Sequence, residues 1–139
     1  MKPVCLVMGA GAGIGGNVAR RFASEGYHAA LCRRSDEDGL KRLVDGIQAE
    51  GGSASGYLLN AVKEDTIEER VAAIEADIGP IEVVVFNLGA QIGNRTLADT
   101  TYKAFEMGWR MATFALFRTA AAVCPGMEAR GKGVILVTS

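Results

Sequence analysis

The chain has 139 residues, 15 Lys plus Arg against 16 Asp plus Glu and a formal net charge of -1, with 49% apolar and 22% charged residues. A length of this order supports one hydrophobic core and excludes a two-domain enzyme. The balanced charge, with no basic run longer than a pair such as Arg33-Arg34, lacks the electrostatic footprint of a nucleic-acid or membrane-surface partner.

The first apolar run, Val4 to Met8, predicts a strand. It is too short for the hydrophobic segment of a signal peptide or for a membrane span, so a soluble, cytoplasmic protein is expected. A glycine-rich stretch follows, and then Ile14, Val18 and Phe22 fall at helical spacing on one face. Gly26 closes that helix. His28 opens a second strand through Ala29-Ala30-Leu31-Cys32 and is expected to be a surface strand residue, because no acidic neighbour in sequence tunes it. Asp36-Glu37-Asp38 reads as the acidic first turn of a second helix, favoured by the helix dipole.

Leu40, Leu43, Val44 and Ile47 carry that helix to Gly51-Gly52, and a third strand ends in Tyr57-Leu58-Leu59. Ile67, Val71, Ile74 and Ile78 mark a third helix, stopped by Gly79-Pro80, and Ile81 to Phe86 a fourth strand. From Thr101 to Met127 a single long helix is predicted, apolar nearly all round through Phe105, Trp109, Met111, Phe114 and Phe117, so it is buried by more than its own sheet or forms an interface. Val134 to Val137 is the fifth strand.

Short apolar runs alternating with helical stripes predict an α/β fold. Right-handed crossovers then give a doubly wound parallel sheet ordered 3-2-1-4-5, with the chain ending after the fifth strand and residues 1–139 forming a single domain. Cys5, Cys32 and Cys124 are widely spaced, with His28 the one imidazole. They predict buried free thiols, neither zinc site nor disulfide framework.

The chemistry concentrates in Met8-Gly9-Ala10-Gly11-Ala12-Gly13-Ile14-Gly15-Gly16, between the first strand and the first helix. Glycines there let the backbone turn tightly and approach a pyrophosphate, and the helix N-terminus attracts it. The spacing is open: Gly11-Gly13-Gly16 fits GxGxxG, Gly9-Gly13-Gly15 fits GxxxGxG, and Gly9-Gly11-Gly13 fits the GxGxG of methyltransferases. Against the last, Val7 and Arg33 stand where that class places acidic residues. A P-loop is excluded, since no Lys-Ser/Thr follows the glycines. After the second strand a carboxylate would read the ribose of NAD and a basic residue the 2′-phosphate of NADP. Cys32-Arg33-Arg34-Ser35 offers two guanidiniums, whose forks suit phosphate.

These residues give the chain its resemblance to the N-terminal part of the short-chain dehydrogenase/reductase family, over essentially its whole length. Gly9-xxx-Gly13-Ile14-Gly15 resembles that family's TGxxxGIG, with Met8 in place of Thr. Asn60-Ala61 falls where Asp-Val stands beside the adenine, and Phe86-Asn87-Leu88-Gly89-Ala90 takes the place of the VNNAG loop. Trp109, Phe117, Pro125 and Met127, followed by Gly133 to Ser139, resemble the long helix and the fifth strand.

The resemblance implies a Rossmann-like NAD(P)-binding domain, incomplete at its C-terminus, and an oxidoreductase moving hydride between NADP(H), with NAD second, and a carbonyl or alcohol substrate. Cofactor contacts are expected at Gly9, Gly11, Ala12, Gly13, Ile14, Gly15, Arg33, Arg34, Asn60, Ala61, Asn87, Leu88 and Gly89. Departures are expected to matter: Met8 and the altered Asn87 loop weaken hydrogen bonds near the cofactor. Ala112 stands where the family keeps a helix Asn that kinks the helix and serves a proton relay. The family's catalytic Ser falls one residue past Ser139, a Tyr-xxx-Lys motif follows it, and none of Tyr27, Tyr57 or Tyr102 has Lys four positions on. No catalytic or metal-binding residue is therefore assigned, and residues 1–139 alone are expected to be inactive. The alternative is a non-catalytic nucleotide-binding module or sensor. A homo-oligomer through helix 101–127 is expected, with no nucleic-acid or membrane partner.

Overall fold

The computed structural model describes residues 1–89 and 96–138. Five strands, β1 (Val4–Met8), β2 (His28–Arg33), β3 (Ser53–Leu58), β4 (Ile81–Phe86) and β5 (Val134–Val137), form one sheet in the order β3-β2-β1-β4-β5. Every pairing is parallel, as predicted. Helices α1 (Ile14–Ser24), α2 (Glu37–Ala49) and α3 (Thr66–Asp77) make the first three crossovers. No helix among the described residues is long and apolar enough to cross a membrane.

Alternate residues of the central strands feed two cores. Val4, Leu6 and Met8 pack with Ile67, Val71 and Ile74 of α3, while Cys5 and Val7 pack with Ala19 of α1 and Leu40 and Ile47 of α2. β1 is buried at all five positions because it is covered on both faces and flanked by β2 and β4. The register slips between the pairs Val4/Ile81 and Cys5/Val83. The residue skipped is Glu82, whose buried Oε2 lies 3.2 Å from Lys132 Nζ.

Four local expectations are corrected. The fully buried residues of α1 are Gly15, Gly16, Ala19 and Ala23; of the predicted stripe, Val18 and Phe22 pack half-buried against the core and Ile14 turns outward. Ile14 is 60% exposed, because small residues let α1 lie closer to the sheet than large ones could. The helix expected as one piece from Thr101 is three: α4 (Tyr102–Trp109), a π segment (Arg110–Phe114) and α5 (Ala115–Arg130). Ala112 sits at the centre of that π segment, so the distortion forms without an asparagine side chain. α5 buries only Ala115, Thr119, Val123 and Met127, one face at four-residue spacing, and leaves Phe117 exposed. Cys124, expected to be a buried thiol, is exposed instead, because it lies off the one face that α5 buries. Cys5 and Cys32 are buried as predicted, and burial pushes both thiols up to about 12.

Several predicted helix ends are found. Gly26 and Gly51 take positive φ just past α1 and α2. Asp36 caps α2 by accepting from Gly39 N at 3.0 Å, with Glu37 and Asp38 in the first turn.

His28 is the fourth correction: it is buried, not on the surface. β3 pairs beside it and brings Ser53 Oγ to within 2.6 Å of Nδ1, while Ser55 Oγ bonds Nε2. Burial, and secondarily the nearby Lys2 charge, hold its pKa below the ordinary value, which is about 6.5. The folded state therefore binds fewer protons than the unfolded state just below that value, so stability rises with pH there and is lost as the pH falls. Urea unfolding from about pH 7.5 down to 5 should show this loss in the native protein. His28→Asn should flatten that part of the profile, and an unchanged profile would contradict the assignment.

Candidate functional site

The loops that follow β1, β2, β3 and β4 all lie at the C-terminal edge of the sheet. The crossovers change direction between the neighbouring strands β1 and β4, where an open α/β sheet forms its ligand crevice. Every residue in the sequence-predicted set falls on one of these loops, at the last position of β2 (Arg33) or on the first turn of α1. Ala90 and Ser139, which belong to two of the matching segments, lie outside the described residues.

Glycine serves two different purposes in the β1–α1 loop. Gly9 has φ +93, and a Cβ there would meet Asn87 O at 2.6 Å. A Cβ on Gly15 would collide with Gly9 O, and one on Gly16 with Gly11 O. These three are glycines because backbone packs on backbone. Gly11 and Gly13 are different, since a Cβ on either would meet nothing within 4 Å. Their missing side chains leave open space at the mouth of the helix.

That mouth is chemically equipped for an anion. Gly13 is the N-cap of α1 and offers no side-chain cap, so the first N–H groups of the helix keep their hydrogen-bonding capacity. Asn17 secures the turn instead, donating from N at 3.1 Å and from Nδ2 at 3.0 Å to Gly13 O. Gly9 N and Ala10 N both donate to Cys32 O at 2.9 Å, which pins the loop to β2. The arrangement fits the pyrophosphate of a dinucleotide.

Asn87 holds the other side of the crevice. Its N donates to Met8 O at 2.8 Å, and its Nδ2 donates to Gly9 O at 3.1 Å. Its Oδ1 accepts from Thr138 Oγ1 at 2.6 Å. One side chain therefore ties the ends of β1, β4 and β5 together. Met8 packs its side chain in the core, 1% exposed, and contributes only its carbonyl to this junction. Leu88 is half-buried and Gly89 exposed.

At the end of β2, Arg33 is half-buried with Nη2 3.5 Å from Asp36 Oδ2, and Arg34 is exposed. Asp36 takes φ 63. A Cβ on Gly39 would collide with Asp36 Oδ2 and sit 3.0 Å from Arg33 Nη1. Gly39 thus clears the space for this ion pair, a role that its sequence position as a helix glycine did not reveal.

After β3, Asn60 is exposed and Ala61 buried. Asn60 Oδ1 accepts from Val62 N at 3.2 Å, and Asn60 O accepts from Thr66 Oγ1 at 2.8 Å. The sequence reading missed Arg118. It reaches this loop from α5, donating to Ala61 O at 2.8 Å and to Lys63 O at 3.0 Å. Its signal was hidden because 55 to 57 residues separate the partners.

The sequence profile of the short chain dehydrogenase family matches residues 3–139. A short chain dehydrogenase of Pseudocercospora fijiensis is 34% identical over 139 residues, covering 96% of this chain and 43% of the relative. The crystal structure of a short-chain dehydrogenase from Rhodopseudomonas palustris superposes with TM-score 0.91 at 36% identity, covering 99% of this chain and 63% of that one. An actinorhodin polyketide ketoreductase variant solved with NADPH gives TM-score 0.89 at 30% identity, covering 98% and 52%. The chain spans about half the length of such relatives. With the profile match over nearly the whole chain and the shared strand order, this chain belongs to the short-chain dehydrogenase family.

Proposed function

We propose that the protein transfers hydride between NADP(H) and a small carbonyl or alcohol substrate. The observation that carries this reading is the cradle after β1: an uncapped helix N-terminus faced by two glycines whose side-chain space is open. The dinucleotide, when bound, supplies or accepts the hydride. In this chain Gly9 to Gly15 hold its pyrophosphate, Asn60 and Ala61 border its adenine, and Asn87, Leu88 and Gly89 line the crevice on the β4 side. The groups that move the proton belong to the part of the relatives' length that this chain does not span.

The fold accepts either dinucleotide, so the preference for NADP rests on Arg33 and Arg34 in the place of a ribose-reading carboxylate. Asp36 shares Arg33, so a 2′-phosphate competes with that carboxylate for one guanidinium and finds Arg34 unshielded. A module that binds nucleotide without chemistry is the competing reading. Ala112 favours it, since alanine offers no amide to a proton relay. The intact bonds of Asn87 and the preserved π segment favour the enzyme.

Titration of the full-length protein should give tighter binding of NADPH than of NADH, and NADPH should be consumed over a panel of carbonyl compounds. Arg33→Asp should reverse the preference, since each charge-assisted contact contributes about 1.5–3 kcal/mol. Equal affinities in the native protein would defeat the NADP assignment.

The two kinds of glycine should also separate in experiment. Gly15→Ala, which drives a methyl group into Gly9 O, should lower the unfolding midpoint. Gly13→Ala meets no chain atom and should cost less stability than Gly15→Ala while weakening dinucleotide binding about tenfold, near 1.4 kcal/mol. Unimpaired binding in Gly13→Ala would remove the cradle from the site.

The same reading includes a homo-oligomer through α4 and α5. Phe105, Trp109, Phe114 and Phe117 are all more than two-fifths exposed there, and Trp109 stacks on Phe114 at 5.3 Å. A contiguous aromatic face of this kind marks an interaction surface. Sedimentation of the full-length protein should show an oligomer, and replacing both Phe114 and Phe117 by Glu should release monomers or insoluble protein. A native monomer at micromolar concentration would overturn this assignment.

A further inference from the structure

We infer that Arg118 is a positioning residue for the adenosine end of the cofactor site, an inference that rests on the dinucleotide reading above. The β3–α3 loop follows an edge strand, so only β2 flanks it within the sheet. Its own bonds, Asn60 Oδ1 accepting from Val62 N and Thr66 Oγ1 donating to Asn60 O and Lys63 O, fix its internal shape. They do not fix its place relative to the helix layer.

Arg118 supplies that link. One edge of its guanidinium engages Glu68 of α3 in two bonds, Nε to Oε1 at 2.9 Å and Nη2 to Oε2 at 2.8 Å. Nη1 donates to Ala61 O at 2.8 Å, and Nη2 also donates to Lys63 O at 3.0 Å. The side chain is 11% exposed. Four bonds from one planar group lock the loop and the first turns of α3 onto α5. A lysine, with one point charge and no fork, cannot span those acceptors.

The consequence is spatial selectivity. Ala61, whose carbonyl is held, adjoins Asn60, and both border the adenine in this reading. The glycine cradle and the Asn87 junction make no bond to Arg118. Loss of the guanidinium should loosen the adenosine end and leave the nicotinamide end as it was. The same group forms one wall of a cavity of about 430 Å³ with Val62, Trp109 and Phe114, so the aromatic face of α4 and α5 and the adenosine loop share a side chain.

The test is isothermal titration of the full-length protein with ADP-ribose and, separately, with reduced nicotinamide mononucleotide. In Arg118→Met, ADP-ribose should bind about tenfold more weakly while the mononucleotide stays within about twofold. Arg118→Lys should resemble Arg118→Met, because charge without the fork does not restore the loop. Equal losses for both ligands, no loss for either, or full rescue by lysine would overturn the inference and leave the dinucleotide reading standing. Should Arg118→Met fail to fold, Glu68→Gln, which keeps the shape and removes the charge that orients the guanidinium, should show the same selectivity at about threefold. Unchanged ADP-ribose binding in Glu68→Gln would then reject it. If the native protein bound neither ligand, the dinucleotide reading itself would fall, and the inference with it.

Discussion

The closest backbone approach in the site decides the rest of it. The loop after β1 passes against the end of β4 so tightly that Gly9 has no room for a side chain, and α1 begins so close to that loop that Gly15 and Gly16 have none either. Because these contacts are made by backbone, the helix axis is held with its N-terminus over the sheet edge. The orphan N–H groups then converge on the crevice between β1 and β4. A larger residue at any of the three would tilt the helix away and disperse the one concentration of donors that an anion can use.

Around that constraint the polar links are sparse and long-range. Asn87 joins three strand ends with one amide, and Arg118 joins a loop and two helices with one guanidinium. Glu68 is held below the usual carboxylate range by its bond to Arg118, so the pair stays ionised at neutral pH. Each link satisfies backbone carbonyls that lie beyond the ends of regular structure, where no ladder or helix bond is available. The site is therefore tied at its joints, while Gly11 and Gly13 border open space and Arg34 is exposed.

The outer layer follows a different logic. α5 uses a single row of small and medium residues to lie on β4 and α3, and this leaves its Phe117 outward, as Phe105 and Trp109 of α4 and Phe114 of the π segment are. Three of the four residues of β5 are more than two-fifths exposed as well. The apolar content that the composition records is thus divided between two filled cores and one uncovered side.

Much of this was legible in the sequence. Five short apolar runs separated by helical stripes and glycine stops determined the element order, and the rule of right-handed crossovers turned that order into the sheet. Glycine density at the first strand–helix junction identified the cradle, because few other reasons place so many glycines there. Other features needed the tertiary structure. Which face of α1 is buried depends on how near the sheet it lies, a distance set by Gly15 and Gly16. His28 is buried because β3 pairs beside it and supplies two serines, and Arg33 meets Asp36 because Gly39 leaves the space. Arg118 reaches the β3–α3 loop across more than fifty residues. Periodicity and spacing report what a residue does within its own element. Contacts between distant elements depend on packing distances, and these exist only once the chain has folded.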